Sequence, residues 1–289
     1  MKRVLITGAN SYVGTNVEKW LMKEPENFYV ETLDMRDPNW KNYDFSKFDV
    51  VFHVAGIAHI KETKKNRELY YKVNRDLAVE TAIKAKISGI KHFIFMSTMS
   101  IFGLDSGIID DKTIIKPKSA YGISKHNAEI IINGIVDQDF GVTILRPPMI
   151  YGPKTPGNYA QLSRTVKKIR VFPNINNKRS FIYIEHFCEF VKYVILTSIQ
   201  GTFHPQNKYL LGTKDLIFQI SKQSGIKIHF SNILKLISVF KFSRIVRKVF
   251  GSLYYDDSIY TSVERTIVDK ATLYSFEETI RRTESNRDL

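Results

Sequence analysis

Cysteine is almost absent from this sequence: Cys188 is the only one in 289 residues. No internal disulfide can form, and such usage fits a reducing cytoplasm. Cys188 sits in the apolar run Phe187 to Val191, where a buried structural thiol is expected. Apolar runs long enough to span a membrane are also missing, and Met1 leads straight into a strand-like segment rather than a signal peptide. No Cys/His spacing of a zinc site occurs. His53 and His59 have no carboxylate at ligand spacing, so both read as packing residues and no metal is expected. Internal repeats, low-complexity tracts and RNA-recognition motifs are lacking too, and nucleic acid is not expected as a partner.

What is present is a chain that is 43% hydrophobic and 25% charged, enough for one large α/β domain or two smaller ones around a sizeable core. Lys and Arg number 43 against 29 Asp and Glu, a net charge of +14. The basic residues are spread along the chain rather than gathered in a tail. That balance suits an anionic small substrate or a membrane surface.

Arg3 to Ile6 is a short apolar run of the kind that forms a buried parallel strand. The turn Thr7-Gly8-Ala9-Asn10-Ser11-Tyr12-Val13-Gly14 follows at once, and then Val17, Trp20 and Leu21 recur at helical spacing. Strand, glycine turn and helix are the context a dinucleotide fingerprint requires. Gly8 permits the tight turn and Gly14 close helix–sheet packing, while the helix N-terminus offers amides to a pyrophosphate. Ser11 stands where the middle glycine is usual; its Cβ restricts backbone approach, and its hydroxyl can donate to a phosphate. Tyr29 to Leu33 reads as a second strand ending at Asp34, an acid placed to accept from ribose hydroxyls. Arg36 is equally placed to meet a 2′-phosphate, so NADH against NADPH stays open. Asp49 to Val54 reads as a third strand, followed by the small residues Ala55 and Gly56, which allow close cofactor approach.

A helix is expected over roughly Lys64 to Ser88, with Val73, Leu77, Thr81 and Ala85 on one face and Asn74 inside it. His92 to Met96 reads as a fourth strand ending at Ser97 and Thr98. Tyr121 and Lys125 are four apart, hence on one face of a helix. A hydroxyl at a strand end beside such a pair can move a proton to or from an alcohol or carbonyl. Tyr121 would be the acid or base, Thr98 would hold the reacting oxygen, and Lys125 would lower the Tyr121 pKa. A fall of ~3 units from about 10 needs about 4 kcal/mol. Val142 to Leu145 is a further strand, broken by Arg146-Pro147-Pro148. The alternation predicts an α/β fold with a doubly wound parallel sheet and ligands at the strands' carboxyl ends.

TGANSYVG, HVAG, MST, YGISK and RPPMIYG, in this order, resemble the extended short-chain dehydrogenase/reductase family of sugar-nucleotide epimerases, dehydratases and reductases. The resemblance implies a Rossmann domain over 1–152 and a smaller, mainly substrate-binding domain over 153–289, with some segments returning to the first. It implies Thr98, Tyr121 and Lys125 as the catalytic set, Lys125 also holding the nicotinamide ribose. It adds Asn74 and Pro147 to a cofactor set of Gly8, Ser11, Tyr12, Val13, Gly14, Asp34, Arg36, Ala55 and Gly56. From Tyr151 onward the βα alternation becomes irregular. There Asn158 resembles a nucleotide-sugar contact, and Arg179, in KRSFIYI, resembles the arginine that grips the substrate diphosphate, a task its two-pronged guanidinium suits.

Within the family, FIFMSTMSIFG, RPPMIYGPKTPGNY, FPNINNKRSFIYI and KVFGSLYY resemble bacterial surface-polysaccharide enzymes. These reduce UDP-linked 4-keto-6-deoxy-N-acetylhexosamines with NAD(P)H to UDP-N-acetylfucosamine or UDP-N-acetylquinovosamine. The alternatives are a UDP-hexose 4-epimerase and a non-catalytic NAD(P)-binding regulator. Ile233 to Phe250 is apolar and basic, as in a substrate-domain helix or a segment on an anionic membrane surface. Peripheral membrane contact and a homodimer are both compatible with the sequence. Ser275 to Glu278 reads as a capping box opening the last helix, and Glu284 to Leu289 is expected to fray.

Overall fold

Val4, Leu5 and Ile6 have no solvent exposure, because the strand they form is covered on both faces. It is β1 (Lys2–Thr7) of a six-stranded sheet. The others are β2 (Phe28–Leu33), β3 (Val50–His53), β4 (His92–Met96), β5 (Gly141–Leu145) and β6 (Gly201–Phe203). The computed structural model describes residues 1–58, 60, 62–235 and 249–285. His59 and positions 236–248 of the basic apolar stretch lie outside the described residues.

The sheet order is β6-β5-β4-β3-β1-β2, and every pairing is parallel. This is the expected doubly wound sheet. β3 and β5 are buried at every position, as strands with helices on both faces must be. The chain runs outward to β2 and then returns to the other side of β1, so strand order reverses between β1 and β3. In open α/β sheets ligands bind at such a reversal, beyond the carboxyl ends. The register brings Thr7 opposite His53 and His53 opposite Phe95, so these ends are level.

Two compact units make up the chain. The first comprises Met1–Gly103, Ile114–Pro147 and Phe187–Pro205; the second Leu104–Thr113, Pro148–His186 and Gln206–Leu289. The sheet belongs to the first, with helices α1 (Tyr12–Leu21), α2 (Arg67–Tyr71), α3 (Leu77–Ile87) and α4 (Ala120–Asn133). The single helix expected over Lys64 to Ser88 is instead composite. A 3-10 turn (Lys64–Asn66) leads into α2, and a π turn over Lys72–Asp76 joins α2 to α3.

The second unit contains three short parallel strand pairs: Gly107–Ile109 with Leu253–Tyr255, Met149–Tyr151 with Phe181–Tyr183, and Val171–Pro173 with His229–Ser231. Its last helix, Phe276–Ser285, corrects one expectation. Glu284 does not fray: it is 5% exposed, accepting from Tyr159 Oη at 3.0 Å and Ser163 Oγ at 2.9 Å, with Lys167 Nζ at 3.3 Å. Three partners spaced along one helix face hold the carboxylate inside. Among the described residues no helix is long and apolar enough to cross a membrane.

Candidate active site

The glycine turn after β1 and the loop after β3 meet at the strand reversal. Gly8 has φ +115°, and a Cβ on it would lie 2.7 Å from Ala55 N. Only glycine both adopts that conformation freely and allows this approach. Ala55 N itself donates to Thr7 O at 2.9 Å. Ser11 is the N-cap of α1, its Oγ accepting from Gly14 N at 3.1 Å, and Tyr12 and Val13 open the helix. The serine hydroxyl keeps its own proton for donation. The cradle fits a dinucleotide: at Gly8 the turn packs backbone on backbone against Ala55, and a helix's first-turn amides point out of its end.

Asp34 and Arg36, each expected to read the adenosine ribose, are bound to each other. Arg36 Nη2 lies 2.7 Å from Asp34 Oδ2, and Arg36 Nε 3.0 Å from Oδ1. Hydrogen bonds from Arg36 hold the Asp34 carboxyl at about 2. His53 is a core residue, as expected: its Nδ1 lies 2.8 Å from Thr7 Oγ1, and its ring stacks between Phe93 and Phe95. Burial lowers its pKa to about 3.

Asn74 falls in the π turn and is fully buried. Its side chain binds Ile57 twice, accepting from the amide at 2.8 Å and donating to the carbonyl at 3.0 Å. It also donates to Ser124 Oγ of α4 at 3.4 Å. Single π turns are frequent at functional sites; this one aims Asn74 at the loop after β3. A Cβ on Gly56 would lie 2.9 Å from Asn74 Oδ1 and 3.3 Å from Lys125 Nζ. The expected cofactor residue Gly56 thus lies against both Asn74 and the expected catalytic lysine.

Thr98 follows β4 in extended conformation and caps a 3-10 turn, its Oγ1 accepting from Ser100 N at 3.1 Å. Its side chain faces the Tyr121 hydroxyl closely enough to lower the phenol pKa. Met99 N donates to Pro147 O at 3.0 Å, which joins this turn to the end of β5. Lys125 is 3% exposed. Its Nζ donates to Met96 O at 2.7 Å and stands 4.7 Å above the Phe95 ring. Burial lowers its pKa to about 7, against the opposing pull of Glu129.

One expectation is corrected here. Lys125 is expected to lower the Tyr121 pKa, but that pKa is raised: burial raises it most, the facing Thr98 side chain opposes the rise, and Tyr70 adds to it. The lysine amine donates to the Met96 carbonyl, and the phenol sits in a desolvated site that disfavours its anion. Tyr121 therefore holds its proton at neutral pH.

In the second unit, Asn158 is exposed at the start of the helix Asn158–Lys168. Arg179 is partly buried, and its Nη1 donates to Gly251 O at 2.8 Å. Burial lowers its pKa below the usual guanidinium value. Sequence reasoning missed Ser124, Tyr70, Glu62 and the Glu129–Arg146 pair. Of these only Glu129 had a visible signal, being four residues beyond Lys125 on the same face.

Comparison with known proteins accords with this geometry. The family model described as "NAD dependent epimerase/dehydratase family" matches residues 4–204. A UDP-glucose 4-epimerase of Vibrio cholerae is 28% identical over 214 residues, 66% of this chain and 65% of that protein, so the chain spans just under two thirds of its length. An N-acetyl-alpha-D-glucosaminyl-diphospho-ditrans,octacis-undecaprenol 4-epimerase of Escherichia coli O157:H7 is 26% identical over 278 residues, 89% of this chain and 83% of that one. The crystal structure of a UDP-glucuronic acid 4-epimerase from Bacillus cereus in complex with NAD is similar in fold, with a TM-score of 0.76 over 98% of both chains at 19% identity.

Proposed function

This chain belongs to the NAD dependent epimerase/dehydratase family, and on that premise we propose that it reduces the C4 ketone of a UDP-linked 4-keto-6-deoxy-N-acetylhexosamine. The observation that carries the reading is the placing of buried Lys125, its Nζ on Met96 O at the carboxyl end of β4, one helical turn from Tyr121, with Thr98 directly after the same strand. When bound, the nicotinamide cofactor supplies the hydride that C4 accepts. Gly8, Ser11, Tyr12, Val13 and Gly14 would hold its pyrophosphate, Asp34 or Arg36 its adenosine ribose, and Ala55, Gly56, Asn74, Pro147 and Lys125 the region near its reactive end. Tyr121 Oη gives its proton to the C4 oxygen as negative charge develops there, and Thr98 Oγ1 donates to the same oxygen and holds it in place. The raised Tyr121 pKa supports the donor role, since a ketone reduction needs a proton delivered. Asn158 and Arg179 would take the nucleotide diphosphate.

The names of the curated relatives favour a second reading, a 4-epimerase. That reaction begins by taking a proton from the C4 hydroxyl, for which Tyr121 must first be ionised. Replacing Tyr121 by Phe removes only the proposed acid. We expect kcat for the keto sugar to fall by about 10²–10⁴ with sugar affinity retained; near-normal turnover would dismiss the assignment.

A further inference from the structure

Glu62 lies between β3 and α2, yet its Oε2 accepts a hydrogen bond from Ala120 N at 2.8 Å, across 58 residues of sequence. Ala120 is the first residue of α4 and Tyr121 the second. The opening amides of an α-helix have no partner inside the helix. In α4 two acceptors share them: Ser119 Oγ takes Gly122 N at 3.1 Å, and Glu62 takes Ala120 N. Tyr121 is the residue between the two fastened amides. A carboxylate at this end of a helix also meets the positive end of the helix dipole. Tyr70 ties the same region together, its hydroxyl donating to Ile60 O and its ring meeting the Tyr121 ring edge-on at 6.5 Å between centroids. Among the described residues, Arg67 addresses the other carboxylate oxygen, its Nε at 4.0 Å, beyond hydrogen-bond length.

We propose that Glu62 is a positioning residue for Tyr121: by accepting from Ala120 N it fixes where α4 begins, and so sets where the Tyr121 side chain stands. This rests on the reading of Tyr121 as the proton donor. Hydrogen bonding and charge separate cleanly at this position, because Glu62→Gln keeps an oxygen acceptor of the same reach without the charge, whereas Glu62→Ala removes both.

The test compares the wild type, E62Q and E62A by NMR after labelling the tyrosine Cζ carbons, the Tyr121 signal being assigned by its loss in Tyr121→Phe. No sugar is present, so the readout does not depend on turnover, and a circular dichroism spectrum matching the wild type shows that each variant is folded. The Tyr121 signal moves in E62A and stays at the wild-type position in E62Q. In turnover assays E62A loses kcat by about 10–100-fold at unchanged KM, and E62Q recovers most of it. A Tyr121 signal unmoved in E62A overturns the proposal. Equal displacement in E62Q and E62A also overturns it, since the effect would then belong to charge. The expected spectra in a protein that reduces no keto sugar would support the positioning role and count against the reductase reading alone.

Discussion

Glu129 of α4 and Arg146, directly after β5, form a largely buried two-bond ion pair. Arg146 Nε lies 3.1 Å from Glu129 Oε1 and Arg146 Nη2 2.8 Å from Oε2. The side chains are 2% and 14% exposed, glutamate first. Glu129 is one helical turn beyond Lys125 and two beyond Tyr121. The pair therefore locks the face of α4 that carries the site against the strand end leading into Pro147. Glu129→Ala would take both of these hydrogen bonds from a largely buried guanidinium, and we expect a loss of roughly 3–5 kcal/mol in urea unfolding. A loss of less than about 1 kcal/mol, the range of exposed pairs, would show that the pair contributes little.

Lys125 gives a pH-dependent prediction. Its pKa in the folded protein is about 7, lowered from 10.5 by burial. Below pH 7 the amine is protonated whether the chain is folded or not, and the cost of burying its charge is fully present. Between 7 and 10.5 the unfolded chain holds the proton more firmly than the folded one, so stability rises with pH in that window. Lys125→Met removes the penalty. The variant should be more stable than the wild type near pH 6 and gain less near pH 9, while losing turnover. Urea melts at the two pH values measure this; a difference that stays constant with pH would contradict a titrating, desolvated lysine.

Much of this was legible because it is local. The turn from Thr7 to Gly14 announces itself through glycine spacing, and Tyr121 and Lys125 share a face by helical period alone. Asn74 was picked out through a resemblance, but not the π turn that aims it, since helical periodicity carries no signal for a single wider turn. The Glu62–Ala120 bond spans a sequence distance no spacing rule covers. The direction of the Tyr121 shift escaped for a related reason: a lysine four residues away is visible in sequence, whereas burial is set by the whole fold. β6, three residues long, and the pairing of Gly107–Ile109 with Leu253–Tyr255 were hidden by brevity and by long separation in the chain.

Asp34 and Arg36 bear on cofactor choice through their mutual pairing. With Asp34 anionic and engaged, each residue restrains the other. Asp34→Ala frees the guanidinium for a 2′-phosphate and removes the repelling carboxylate, so the kcat/KM ratio should move toward NADPH. Arg36→Ala leaves the carboxylate for ribose hydroxyls and should move it toward NADH. A shift of about tenfold corresponds to ~1.4 kcal/mol in each case. Ratios unchanged in both variants would show that neither residue reads the 2′ position.

Cofactor accounting separates a reductase from an epimerase, because the proposed set of Thr98, Tyr121 and Lys125 would serve reduction and epimerisation alike. A reductase must exchange its spent cofactor after every sugar, whereas an epimerase returns the hydride within the same turnover. Purified protein mixed with a UDP-4-keto-6-deoxy-N-acetylhexosamine and NADH or NADPH should consume one reduced cofactor for each sugar converted to the 4-hydroxy product. Rapid interconversion of UDP-N-acetylglucosamine and UDP-N-acetylgalactosamine with only catalytic NAD, and no net oxidation of NAD(P)H by the keto sugar, would contradict the account and establish the epimerase in its place.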